Sequence, residues 1–311
     1  MIVRADAAGV RRAAELLRAG SVVAFPTETV YGLGADAFSP TAVGEIYRLK
    51  NRPSWNPLIV HVADVAAARK LADPWPAVAD ELAAAFWPGP LTLVVRRAPH
   101  LTQVGADTGT IAIRVPAHDV ALRLLAATDL PLAAPSANRS ESISPTTAEH
   151  VLRSLPEVPL VLDGGPASWG IESTVLDVTG EVPRLLRPGA LGLREIREVT
   201  GALALPNEVA DGSARPSPGM SRRHYAPRAK LILVDEVDPA SVDDSVGVLT
   251  YETAAIPGAE ILSADPREYA ADLYAALHRL DDAGMSTILV RTPPPTEEWL
   301  AIRDRLSRAA A

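Results

Sequence analysis

Apolar residues recur along the first 200 positions in alternating helix and strand rhythms. A three-to-four-residue period over 7–19, with Asp6 as N-cap and Gly20 at its end, predicts an amphipathic helix. The β-branched run 21–25 predicts a buried strand that Pro26 ends. Ser39-Pro40 opens a helix over 41–49, and 58–62 predicts a strand. Asp64 caps a short helix, and a helix over 76–86 stops at the breaker Trp87-Pro-Gly-Pro90. Strands at 91–95 and 110–115, a helix at 118–127 and a short strand at 132–134 follow. Ser144-Pro145 predicts the cap of a helix reaching Leu155. Strands at 159–163, 173–178 and 183–187 and a helix near 192–200 complete an α/β pattern that suits a twisted mixed sheet.

The rhythm breaks over 202–229, where Pro206, Gly212, Pro216, Pro218 and Gly219 predict a linker. Its second half, Ser217-Pro-Gly-Met-Ser-Arg-Arg-His-Tyr-Ala-Pro227, is basic and aromatic. Strands at 230–234, 246–250 and 286–291 then alternate with helices near 266–283 and 296–310, a smaller β/α unit. The expected divisions are a catalytic domain at 1–203, a linker or lid at 204–229 and a C-terminal domain at 230–311.

Composition narrows the classes. At 311 residues the chain can bury a large core and divide into two domains. A net charge of −8 argues against a general nucleic-acid or membrane-surface binder, though a local basic cleft is compatible with it. With 0 cysteines, disulfides, iron–sulfur clusters and thiol catalysis are excluded. The 6 histidines have no metal-ligand spacing. There is no signal-peptide pattern and no apolar run of membrane-spanning length, so a soluble cytoplasmic protein is expected.

Candidate chemistry clusters at strand ends. Phe25-Pro-Thr-Glu-Thr-Val-Tyr-Gly-Leu-Gly34 carries hydroxyls, a carboxylate and two glycines where α/β proteins place ligands. The glycines suit close approach of the backbone to a bound group, or simply a tight connection. Lys50-Asn-Arg52, followed by Asn56, suits a phosphate or carboxylate; a helix C-terminus also attracts cations through its dipole alone. His61 in Leu-Ile-Val-His-Val fits either a core residue or a ligand contact. Arg114 ends an apolar strand and needs an anionic ligand or a salt bridge. Ser136, Asn138, Ser140, Ser142 and Ser144 make a hydroxyl-rich loop before a helix, either an anion site or a solvated loop. Gly170-Ile-Glu-Ser-Thr174 and Leu186-Arg-Pro-Gly189 add further strand-end groups. There is no P-loop and no nucleophile elbow. Gly32-Leu-Gly34-Ala-Asp-Ala37 imitates a dinucleotide fingerprint, but no helix opens there.

In combination these segments, with Asn56-Pro-Leu-Ile-Val-His61 and Phe86-Trp-Pro-Gly-Pro-Leu-Thr92, resemble the two-domain form of the YrdC-like L-threonylcarbamoyladenylate synthases. The resemblance spans essentially the whole chain. It implies a YrdC-like mixed-sheet domain, a basic linker and a Rossmann-like C-terminal domain. It implies synthesis of L-threonylcarbamoyl-AMP from L-threonine, bicarbonate or CO2, and ATP with magnesium, releasing pyrophosphate. Lys50, Arg52, Ser136 and Asn138 would be the catalytic set around the triphosphate. Asn56, Thr110, Ser144, Arg187 and Tyr225 would also touch ATP, and Thr29, His61, Arg114 and Ser173 would hold threonine. The product would pass to proteins that modify the tRNA adenosine beside the anticodon, with weak direct tRNA contact at most. Residues 213–228 would close over ATP as a lid. The rival readings are an RNA-binding module, disfavoured by the acidic balance and scattered aromatics, and a different adenylating or carbamoyl-transferring enzyme.

Overall fold

The computed structural model describes residues 1–101, 109–205, 224–252 and 256–311. Among these, ten strands form one sheet: β1 (Ile2–Arg4), β2 (Val23–Phe25), β3 (Gly32–Asp36), β4 (Ile59–His61), β5 (Leu91–Arg96), β6 (Thr110–Arg114), β7 (Leu132–Ala133), β8 (Val161–Asp163), β9 (Thr174–Asp177) and β10 (Arg184–Arg187). Their order across the sheet is β1-β8-β2-β3-β7-β4-β6-β5-β9-β10, with parallel and antiparallel pairs mixed.

Side chains alternate between the two faces of this sheet, as the strand period requires. Val23 and Phe25 enter a core with α1 (Ala7–Arg18), while Val22 and Ala24 face the opposite core with α2 (Pro40–Lys50). The helices α3 (Val65–Arg69), α4 (Ala77–Phe86), α5 (Asp119–Thr128), α6 (Ala148–Ser154) and α7 (Leu193–Thr200) complete this domain. α5 packs on α1, and α4 packs on α7. Burial on both faces explains why the strands read as continuous apolar runs.

Beyond residue 230 a second sheet is wholly parallel, in the order β11-β14-β12-β13: β11 (Lys230–Val234), β12 (Val246–Thr250), β13 (Glu260–Ile261) and β14 (Thr287–Arg291). α8 (Pro266–Asp282) and α9 (Leu300–Ala309) pack with it. Its core does not end at the domain border. Val30, Ile143 and Ile171 of the first domain join Tyr225, Tyr269 and Leu273 in one buried cluster.

Several sequence expectations shift. β1, β3 and β13 were not expected as strands, since each is short or glycine-rich. Gly34 lies against Phe25: a Cβ there would meet the ring at 2.7 Å, so this glycine serves the close pairing of β2 and β3 rather than a ligand. The helix expected from Ser144-Pro145 begins only at Ala148, capped by Thr147, whose side chain accepts from His150 N. Pro145 O is taken instead by Tyr31 N at 2.9 Å, which ties residues before Thr147 to the β2–β3 loop. The last helix is split: a 3-10 turn at Glu297–Trp299 precedes α9. The basic linker falls outside the described residues up to position 223.

Candidate functional site

The cleft lies at the edge of the large sheet where β4 and β6 end and β5 and β9 begin, with Thr29 of the β2–β3 loop reaching Arg114. In the parallel pair β4 and β6, His61 and Arg114 are register partners, which sets both side chains at this edge. β10 runs antiparallel to β9 and returns Arg187 beside Val175. α2 brings Lys50 in as its last residue. The left-handed Asn51 (φ 50°) then turns the chain, so that Arg52 follows it into the interior.

One cavity is lined by Thr29, His61, Arg114 and Ser173 and also by Arg52, Ser136, Arg187, His224 and Tyr225. The four expected threonine contacts thus share one space with Arg52, Ser136, Arg187 and Tyr225 of the expected ATP contacts; Lys50, Asn56, Thr110, Asn138 and Ser144 are not among its lining residues. Arg114 is held from three sides. Nη1 donates to Thr29 Oγ1 at 2.9 Å, Nε to Gly89 O at 3.2 Å, and Nη2 lies 2.6 Å from Glu28 Oε1. Thr29 itself is fixed by Thr27, whose Oγ1 accepts from the backbone N–H groups of Thr29 and Val30. Ser173 Oγ shares a hydrogen with Thr92 Oγ1 at 2.8 Å. Arg187 Nη2 donates to Ser173 O at 2.8 Å and to its Oγ at 3.2 Å.

At the other end Lys50, 1% exposed, donates from Nζ to Ser136 O at 2.6 Å and also to Asn138 O. It thus shapes the 136–138 loop from behind. Arg52 donates to Asn56 Oδ1 at 2.6 Å and to Pro57 O at 2.8 Å. Asn138 donates to the carbonyls of Arg139 and Ser142, both at 2.8 Å. Ser144 does not face outward as a helix cap; its Oγ donates to Glu172 at 2.6 Å. Thr110 is not brought to the cavity. It begins β6, four residues and about 13 Å of strand from Arg114.

The electrostatics fit an anion. Burial, and then the neighbouring Arg52, push Lys50 well below the usual lysine range. Burial likewise pushes Arg52 down to about 10, with Arg187 adding repulsion. Three cations that press on one another in a dry cleft gain most from a multiply charged ligand. Burial also lowers His61 to about 3, with the Arg114 charge adding to it, so the ring is neutral at pH 7. His61 Nδ1 and Tyr225 OH are buried without a hydrogen-bond partner among the described residues. Such atoms call for a ligand or water.

Sequence reasoning missed Thr92, Glu28 and Glu172 as parts of this site. All three stood inside motifs already singled out, but only the fold shows which strand-end residues turn inward. Tyr225 was expected, and the structure seats it in the cavity at φ 62°, 1% exposed.

The chain is similar to known proteins over nearly its whole length. A family model described as telomere recombination, Sua5/YciO/YrdC, matches residues 15–189. A model of the threonylcarbamoyl-AMP synthase C-terminal domain matches residues 191–311. The threonylcarbamoyl-AMP synthase of Bacillus subtilis (strain 168) is 42% identical over 321 residues, covering 97% of this chain and 92% of that protein. The Pyrococcus abyssi (strain GE5 / Orsay) protein of the same name is 39% identical, covering 97% of this chain and 94% of its own. The crystal structure of P. abyssi Sua5 complexed with L-threonine aligns with a TM-score of 0.90 at 38% identity, covering 100% of this chain and 96% of that one.

Proposed function

Because this chain belongs to the two-domain threonylcarbamoyl-AMP synthase family, we propose that its cleft makes L-threonylcarbamoyl-AMP from L-threonine, bicarbonate or CO2, and ATP, releasing pyrophosphate. The observation that carries this reading is one cavity lined by Arg114, Thr29, His61 and Ser173 together with Arg52, Ser136 and Arg187.

The chemistry asks little of a protein nucleophile. The threonine amine loses a proton and adds to CO2, giving a carbamate. A carbamate oxygen attacks the α-phosphorus, the bond from that phosphorus to the bridging oxygen breaks, and pyrophosphate leaves with the electron pair. The protein must align the two reactants and spread the phosphate charge. Arg114 suits the threonine carboxylate, with Thr29 and Ser173 beside it, and neutral His61 offers Nδ1 to the threonine hydroxyl. Lys50, Arg52, Asn56, Thr110, Ser136, Asn138, Ser144, Arg187 and Tyr225 would serve the ATP. A bound triphosphate would favour the charged form of Lys50, which burial now opposes.

Magnesium enters as part of the substrate, MgATP. Of the cleft carboxylates, Glu28 is engaged by Arg114, and Glu172 by Ser144, Tyr274 and Arg305. Among the described residues no three His, Asp or Glu side chains cluster as ligands. The phosphate oxygens are thus its natural partners. No helix among the described residues is long and apolar enough to cross a membrane. We place the protein in the cytoplasm beside tRNA, where transfer proteins would take up the product.

The test is pyrophosphate release by the purified chain with MgATP. Release that needs both L-threonine and bicarbonate is the expected result; release indifferent to either would sink the reading.

A further inference from the structure

Glu172 lines the cavity beside Arg52 and Arg187, where a bare carboxylate would repel a triphosphate. Burial raises its pKa, but the Arg305 and Arg187 charges and the Ser144 hydroxyl outweigh this and hold it at about 2. The group is therefore an anion at neutral pH. Its oxygens are nevertheless taken up. Oε1 accepts from Ser144 Oγ at 2.6 Å, and Oε2 from Arg305 Nε at 2.8 Å and Tyr274 OH at 3.1 Å. A carboxylate engaged in this way is poorly placed to act as a base.

Two of those donors belong to the C-terminal domain: Tyr274 stands on α8 and Arg305 on α9. The same two side chains hold Tyr225. The Arg305 guanidinium lies 4.9 Å from the Tyr225 ring centroid, and the Tyr274 ring stacks on it at 5.8 Å and 26°. Arg305 is 1% exposed; its Nη1 also donates to Asp304 Oδ2 at 2.8 Å, while Nη2 is buried without a hydrogen-bond partner among the described residues. The backbone reinforces the arrangement. His224 N donates to Arg308 O at 3.1 Å, and Gly170 approaches the carbonyls of α8 so closely that a Cβ would meet Ala271 O at 2.2 Å. At the threonine end, by contrast, the partners of Arg114 among the described residues are Glu28, Thr29 and Gly89, all of the first domain.

We propose that Arg305 and Tyr274 are positioning residues for the nucleotide end of the site. By neutralising and fixing Glu172 and by clamping the ring of Tyr225, the C-terminal domain sets Ser144 and Tyr225 against ATP and leaves the threonine end alone. The inference rests on the ATP reading given above.

The experiment uses the full chain as wild type, R305Q, R305K, Y274F and the double variant E172Q/R305Q. MgATP binding is measured by calorimetry, and pyrophosphate release is titrated separately in ATP and in threonine. R305Q is expected to raise the MgATP Kd and the ATP KM by about tenfold or more, with the threonine KM within about twofold of wild type. R305K should recover part of the loss, since it restores charge but not the planar fork. The double variant should bind MgATP better than R305Q, because the uncompensated carboxylate is gone. Y274F removes one hydrogen bond and should raise the ATP KM by about threefold at an unchanged melting temperature; it decides the matter should R305Q not fold. ATP constants within about twofold of wild type in both R305Q and Y274F would overturn the role, as would equal rises in both KM values. A wild-type chain that binds no MgATP overturns the ATP reading and this role with it. Wild type binding MgATP with R305Q binding it equally overturns this role alone.

Discussion

Arg114 and Glu28 meet at 2.6 Å beneath the threonine end of the cleft, and each side chain is only 4% exposed. The contact lacks hydrogen-bond alignment, so its strength is the charge attraction in a dry setting. Glu28 comes from the loop after β2 and Arg114 from the end of β6. The pair thus ties the β2–β3 loop to the end of β6.

Removing one member of a buried pair leaves the other charge uncompensated. Glu28→Gln should lower the unfolding free energy by about 3 kcal/mol in denaturant titrations. It should also raise the threonine KM, because Arg114 loses one of its three supports. The ATP KM should stay near the wild-type value. A Glu28→Gln chain with wild-type stability would show that the pair is not effectively desolvated.

The buried histidines give stability a definite pH dependence. Burial lowers His61 and His224 to about 3 and His278 to about 4. In the unfolded chain each titrates near the ordinary value of about 6.5. Between these limits the unfolded state binds more protons, so stability rises with pH from about 3 to 6.5 and is lost on acidification through that window. His278 alone should cost about 2 kcal/mol between pH 7 and pH 5. Its ring stacks on His150 at 3.8 Å, so protonating both would also set like charges face to face. His278→Phe should therefore flatten the slope of melting temperature against pH over this range. An unchanged slope would mean that His278 takes up protons equally in the folded and the unfolded chain.

Gly170 is a close point of contact between the domains. It has φ 69°, and a Cβ would meet the backbone of Ala270 and Ala271 at 2.4 and 2.2 Å. Gly170→Ala combines left-handed strain with overpacking against carbonyls that belong to a helix and cannot yield. A loss of about 2–4 kcal/mol is expected. The ATP KM should rise more than the threonine KM, since displaced α8 carries Tyr274. Denaturant unfolding with parallel kinetics checks both parts.

How much of this was legible beforehand differs by residue. The paired cations Lys50 and Arg52, and Arg114 at a strand end, stood out because a charge in an apolar setting needs a partner. The α/β alternation was equally plain, since strands buried on both faces keep unbroken apolar runs. β3 was hidden because its glycines argue against a strand until the Phe25 ring is seen beneath Gly34. Glu28 and Glu172 stood in recognised motifs, yet their roles depend on Arg114 and Arg305, which lie 86 and 133 positions further on. Pairings over such separations are set by tertiary packing, which no local pattern encodes.

Substrate choice offers the sharpest test of the threonine end. His61 is neutral, buried at 3% exposure, and presents Nδ1 without a partner among the described residues. A threonine hydroxyl would satisfy that atom, whereas valine would fill the same volume and leave it bare. A site built to hydrogen-bond a substrate hydroxyl rejects the analogue lacking it by about 10⁴-fold. Serine keeps the hydroxyl and loses one methyl, which is worth about 10–200-fold. The expected order of kcat/KM is therefore threonine, then serine, then valine. His61→Phe should compress the gap between threonine and valine, mainly by lowering kcat/KM for threonine, and leave the serine ratio largely intact. Pyrophosphate release with each amino acid at fixed MgATP and bicarbonate measures all three. Valine used as well as serine by the wild-type chain would remove His61 from the recognition of the hydroxyl.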